Sequence, residues 1–205
     1  MMPNSNDLRL KTVMQSVAPI SDDSWQQIRP YLTEKRVASG TQLGNPGEVC
    51  AQVMFLCEGV ARSFVIDANG REYTVSFNFY EPQATLKNLF LTDFVSVLQQ
   101  SPSQLYFEAL TDLVVIAIPY EKVLSLYESQ VEWGRFGRKV AEEAYCITQQ
   151  RALSLLTLTA AERYAQMLKG MPKSLQQIPE HYVAAYLGIT PQSLSRIKKQ
   201  ALVTK

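Results

Sequence analysis

Gln192, Arg196 and Lys199 follow one another at spacings of four and three residues, so a helix would carry all three on one face. Ser193 and Ser195 flank that face. A glutamine amide sets a donor beside an acceptor, the match for adenine, and an arginine fork fits the O6 and N7 acceptors of guanine. Lysine and serine suit phosphate oxygens. No acidic residue follows Glu180, so nothing near this face repels a polyanion. A solvated basic helix would show the same residue types. The face gains meaning only from the elements that present it.

Those elements are legible from residue 159 onward. Thr159 and Glu162 have capping-box spacing and open a helix through Tyr164, Met167 and Leu168, which ends near Gly170 with Pro172 beyond. A second helix begins at Pro179 or Glu180, with Val183, Ala184 and Leu187 as its apolar face and Gly188 at the left-handed stop. Thr190-Pro191 then supplies an N-cap followed by proline at the first helical position. Leu194 and Ile197 point inward on the helix that follows. Helix, glycine turn and helix, with small Ala184 at the crossing, is the helix-turn-helix plan, although any helical hairpin can show the same outline.

Charge supports the same segment. Residues 1–162 carry 13 Lys and Arg against 18 Asp and Glu, a net of −5, whereas residues 163–205 carry 7 against 1, a net of +6. A mildly acidic body with a basic end fits a nucleic-acid-binding tail. With one histidine, His181, no convincing nucleophile–base pair and no Cys-x-x-Cys, neither a metal site nor an enzyme is expected. Cys50, Cys57 and Cys146 are odd in number and widely spaced, which suits reduced, buried thiols better than a disulfide framework, with a redox sensor as the rarer reading. No signal peptide and no membrane span are visible in the 205 residues, so a cytoplasmic protein is expected.

The body of the chain changes character twice. Residues 7–33 read as two helices interrupted at Pro19, the second capped within Ser21-Asp22-Asp23-Ser24. Residues 35–118 are β-rich and punctuated by Gly40, Gly44, Asn45-Pro46-Gly47, Gly59 and Asn69-Gly70. Val60–Ile66 and Glu72–Phe79 form the clearest hairpin, with Asn-Gly offering the positive φ angles of a tight turn. In its second strand Tyr73, Val75, Phe77 and Phe79 alternate with Thr74, Ser76 and Asn78, which predicts one buried and one wetter face. Residues 104–110 and 113–118 add two strands, and the set argues for a β-barrel or sandwich. Glu121–Glu128 predicts a short helix and Val131–Leu156 a long one. Trp133, Val140 and Ile147, then Gly137, Ala144, Arg151 and Leu158, repeat every seven residues. That fits a dimer seam or a helix packed on its own barrel, and the pattern alone does not choose.

With these residues in place the chain resembles the Crp/Fnr family of bacterial transcription regulators over nearly its whole length. Two stretches carry the resemblance. One runs from Asn45-Pro46-Gly47-Glu48 through Val60-Ala61-Arg62-Ser63-Phe64 to Asn69-Gly70-Arg71-Glu72. The other runs from Ala161-Glu162-Arg163-Tyr164 through Ile178-Pro179 to Leu187-Gly188-Ile189-Thr190-Pro191 and Leu194-Ser195-Arg196-Ile197. The resemblance implies an α+β chain with three parts. These are a cyclic-nucleotide-binding-like sensor of jelly-roll type at 1–129, a central dimerisation helix at 130–157, and a helix-turn-helix at 158–205. It further implies a homodimer on double-stranded DNA with half-sites about 34 Å apart, base reading by Gln192, Ser195 and Arg196, and RNA polymerase as a candidate partner.

Two departures modify that expectation. Where cyclic-AMP-binding members place a glutamate and an arginine, this sequence has Phe90–Leu98 with Asp93 as the one candidate carboxylate, and Gln104 in the arginine's place. A phosphate would lose its main charge-assisted contact there, so cyclic AMP is not the expected effector. The effector pocket is expected around Thr92, Asp93, Phe94, Ser103 and Gln104, with Arg62 and Arg71 offering charge, although a solvated strand edge is the plainer reading of both arginines. The sequence reaches Lys205 soon after the last helix, so no DNA contact from a β-wing is expected. The competing reading is a protein-interaction module whose barrel binds no ligand.

Overall fold

The computed structural model describes residues 5–203, with side chains to residue 200. α1 (Ser5–Val17) and α2 (Asp22–Ile28) come first, α2 capped by Ser21, whose hydroxyl accepts from the Ser24 amide. Eight strands follow: β1 (Thr33–Val37), β2 (Gln42–Gly44), β3 (Gln52–Glu58), β4 (Val60–Ile66), β5 (Glu72–Phe79), β6 (Phe90–Leu91), β7 (Tyr106–Ala109) and β8 (Leu113–Pro119). Between β5 and β7 lie two short helices, α3 (Leu86–Leu89) and α4 (Phe94–Gln99). α5 (Tyr120–Ser129) and the long α6 (Val131–Thr157) follow, then α7 (Ala160–Gly170), α8 (Glu180–Leu187) and α9 (Pro191–Val203). No described helix is long and apolar enough to cross a membrane.

The strands form two antiparallel sheets, ordered β1-β8-β3-β6 and β2-β7-β4-β5, and the two do not close on each other. The expected barrel is therefore a pair of open sheets, since strands as short as β2 and β6 end the ladders before they meet. β8 shows why its sequence is apolar throughout. Val114, Ile116 and Ile118 face a core built with α1, α2 and α6, while Leu113 and Val115 face a second core shared with the C-terminal helices. A strand covered on both faces loses the polar alternation of a half-exposed one.

The β4–β5 hairpin keeps its predicted ends but not its predicted turn. Only Gly70 has positive φ, at 79°, and Asn69 does not. Asp67 closes the loop instead, its carboxylate accepting from the amides of Asn69 at 2.8 Å and Arg71 at 3.0 Å. The alternation in β5 also fails as predicted. The ladder slips between Ser63 and Phe64, leaving Val75 without a partner in the register. Thr74 and Asn78 are buried rather than wet. Phe77 and Phe79 are buried against the C-terminal helices, with the Phe77 ring 5.3 Å from that of Tyr186.

In α6 the first heptad residues pack on their own chain. Trp133 and Phe136 are buried in the first core and Val140 packs beside them. A Cβ on Gly137 would stand 2.8 Å from the Tyr127 ring, so this helix approaches α5 too closely for any side chain there. Arg151 turns toward α8. Of the heptad residues, Trp133, Gly137, Val140 and Arg151 thus face their own chain, while Ala144, Ile147 and Leu158 are half-buried. Ala141, Tyr145, Thr148, Ala152 and Leu156, three to four residues apart, are exposed instead.

Candidate nucleic-acid interface and ligand cavity

α7 opens with the predicted capping box, the Glu162 carboxylate accepting from the Thr159 amide and hydroxyl at 2.8 Å each. These bonds hold the Glu162 carboxyl below the usual carboxylate range. α8 stops at Gly188, where φ is +71°. The Ile189 amide reaches the Ala184 carbonyl at 3.0 Å and the Gly188 amide reaches that of Ala185 at 3.3 Å, the paired bonds of a Schellman stop. The three-residue turn 188–190 then delivers α9, with Thr190 as its cap: its hydroxyl accepts from the Ser193 amide at 3.2 Å.

Val183, Ala184, Leu187 and Leu194 are buried between α8 and α9. That packing fixes the outward face. Gln192, Ser195, Arg196 and Lys199 are exposed on it, and Ser193 is half-buried beside its cap. Lys198, one position off this face, pairs with Glu180. The described side chains of α9 thus present a cationic and amide-bearing surface from which the nearest acid, Glu180, is already engaged.

Two arginines secure α8 from behind. Arg151 of α6 donates to the Tyr186 carbonyl at 2.6 Å and stacks 3.8 Å from its ring centroid. Arg163 of α7 donates to the Leu187 carbonyl at 2.9 Å. Cations at a helix C-terminus answer its free carbonyls and its negative dipole end. A third arginine joins α8 to the sheet. Arg62 is only 2% exposed, with its guanidinium 3.9 Å from the Phe64 ring centroid and 3.5 Å from that of Tyr182. It pairs with Glu108 at 2.7 Å and Glu72 at 2.8 Å. Glu81 adds a further tie, accepting from the Ser174 amide at 2.6 Å and from the Ser174 hydroxyl.

Arg62 therefore lies neither in a pocket nor on a solvated edge. Its neighbours on β5 and β7 and the ring from α8 are remote in sequence, and no local pattern announces them. Arg71 is also outside the expected pocket, exposed on the hairpin with its guanidinium 4.9 Å from the Tyr73 ring centroid.

A cavity of about 430 Å³ does exist where the pocket was expected, walled by β4 and β5, the segment from Phe90 to Leu105, and Ala144 and Thr148 of α6. Thr92, Asp93, Phe94 and Gln104 line it, and Ser103 does not. Ser103 is buried behind, donating to Asp93 at 2.8 Å. The other Asp93 oxygen caps α4, accepting from the amides of Val95 at 3.0 Å and Ser96 at 3.3 Å. That carboxylate is taken up by its own loop. Among the lining residues that sequence reading missed are Ser63 and Ser76, whose hydroxyls meet at 2.7 Å, Asn78, and Lys87. The polar side of β5 was the available signal, misassigned to solvent.

The thiols are unlinked. Burial, as the first cause, pushes the Cys57 thiol up to about 12, which leaves it inert.

No protein-family model and no curated protein matches this chain in sequence. Solved structures do match. The chain is similar to FixK2 from Bradyrhizobium japonicum, with a TM-score of 0.70 at 20% identity over 84% of this chain and 85% of that one. A protein assigned to the transcriptional regulators of the Crp/Fnr family from Eubacterium rectale gives 0.69 at 16% identity over 98% and 89%. The chain has the Crp/Fnr-type fold. Within that fold CLP from Xanthomonas campestris, described as a c-di-GMP-responsive global regulator, gives 0.64 at 12% identity over 90% and 93%. Likenesses at these identities concern architecture, and the Crp/Fnr-type fold accounts for the paired sheets, the long α6 and the helices after it.

Proposed function

We propose that this protein is a DNA-binding transcription regulator that acts as a dimer on an operator and answers to an effector other than cyclic AMP. Residues 1–129 are its jelly-roll sensor, 130–157 its dimerisation helix, and 158–205 its helix-turn-helix. The observation that carries this reading is the exposed face of α9. Gln192, Ser195, Arg196 and Lys199 stand clear of the body while Leu194 anchors the helix beneath them. In the assigned roles Arg196 and Gln192 read base edges, Ser195 contributes a further base contact, and Ser193 and Lys199 hold phosphates. A second copy covers the exposed stripe of α6 from Ala141 to Leu156, which pairs the two reading helices.

The test is selection from a pool of random duplex DNA by the purified protein at moderate salt. Enrichment of a two-fold-symmetric site is expected, with half-sites about one helical turn apart. Failure to enrich any sequence, with or without cellular small-molecule extract, overturns the reading in favour of an interaction module.

A further inference from the structure

The cavity contains a cation that no carboxylate answers. Lys87 of α3 is half-buried on its wall, and no described residue forms an ion pair with its ammonium. The other charged lining residue is Asp93, already committed to α4 and Ser103. Burial, then the nearby Arg151, pushes the Lys87 ammonium below its ordinary pKa, which is the mark of a charge lacking a counter-charge. The backbone beside it is held firmly, the Asn78 amide donating to the Lys87 carbonyl at 2.9 Å. The same cavity is lined by Ser63 and Ser76, whose hydroxyls bond each other and leave one proton of the pair to donate, by Thr92, whose hydroxyl donates to the Gln52 carbonyl, and by Phe90 and Phe94.

We propose that this cavity binds a small organic molecule with one negative charge and an apolar body, held by the Lys87 ammonium. One ammonium answers about one charge, the Ser63–Ser76 pair donates one further hydrogen bond, and the rings take the apolar part. The cation thus comes from α3 and not from the segment holding Gln104. The proposal rests on the regulatory reading only in making this ligand the effector, because binding itself requires no DNA.

Calorimetric titration of the full chain at neutral pH tests it, using benzoate against benzamide, methyl phenyl phosphate against anisole, and cyclic AMP against adenosine, each anion carrying one charge. At least one anion is expected to bind ten or more times more tightly than its neutral counterpart, and which one tells a carboxylate from a phosphate source. Lys87→Met is expected to lose at least tenfold in affinity for that anion, and Lys87→Arg to retain most of it. Without ligand, Lys87→Met should melt at or above the wild-type temperature, which also shows that it folds. The proposal is overturned if the neutral probes bind as well, if no anion binds, if Lys87→Met binds unchanged, or if it melts lower. Anion binding without DNA selection would sink the regulatory reading alone. DNA selection with no anion binding would sink this one alone.

Discussion

At the scale of single residues, the arginines divide by what surrounds them. Arg62 is enclosed by two rings and two carboxylates, so its removal strands Glu108 and Glu72 beside an emptied slot. Those carboxylates retain 25% and 42% side-chain exposure, which softens the penalty below that of a fully buried pair. Arg62→Ala should lower stability by about 2–3 kcal/mol, read as a lower urea midpoint, and should raise amide exchange in α8 before other helices. Uniform exchange would show that Arg62 supports the sheet and not the α8 junction. Arg196 behaves oppositely, since no described residue bonds to its side chain, which is exposed. Arg196→Ala should leave the urea midpoint unchanged, cost about 1–3 kcal/mol in operator binding, and relax preference at one base pair. Lys199→Ala should instead weaken all sequences alike and reduce the salt slope by about 1. An unaltered base preference in the Arg196 variant would remove it from the reading set.

At the scale of elements, α6 does two jobs in succession. Its first turns bury Trp133 and Phe136, while its later turns leave Tyr145 70% and Leu156 83% exposed. A globular protein gains little from apolar side chains held in water, so a stripe of them along one helix marks a surface to be covered. Tyr145→Glu and Leu156→Glu should therefore give a folded monomer, with a far-UV spectrum like wild type and half the mass by sedimentation. Retention of the dimer in both would move the interface elsewhere. The same helix shows where pattern reading fails. A seven-residue repeat identifies a stripe without saying what lies opposite it, and here Gly137 meets Tyr127 of α5, Trp133 and Val140 join the first core, and Arg151 reaches α8. The C-terminal helices were more legible, because the caps at Thr159 and Thr190, the stop at Gly188 and the proline at 191 act through backbone groups within a few residues of themselves.

At the scale of the whole molecule, stability is distributed between two cores that meet through β8, and polar ties join distant segments across them. One such tie gives a pH test. The Ser21 amide, then the Ser24 and Ser21 hydroxyls, hold the Glu132 carboxyl below its ordinary value of 4.5. A depressed carboxyl contributes stability above its unfolded pKa and loses it as pH falls through the folded one. Glu132→Gln should therefore melt below wild type at pH 7, and the gap should close between pH 5 and 3. A gap that persists into acid would assign the loss to geometry and not to charge.

By itself the sequence determined the ends of α5 to α8, the β4–β5 strand limits, the charge division and the outward residues of α9, because each follows from local backbone chemistry or from periodicity along one element. Only the tertiary structure decided that Arg62 is buried under Tyr182, that Asp93 is spent on its own loop, that Lys87 faces a cavity, and that Trp133 and Val140 of α6 pack into the first core. Each of these depends on which distant segment lies across from a side chain. A residue's type fixes what it can bond to, but the packing of remote elements fixes what it meets.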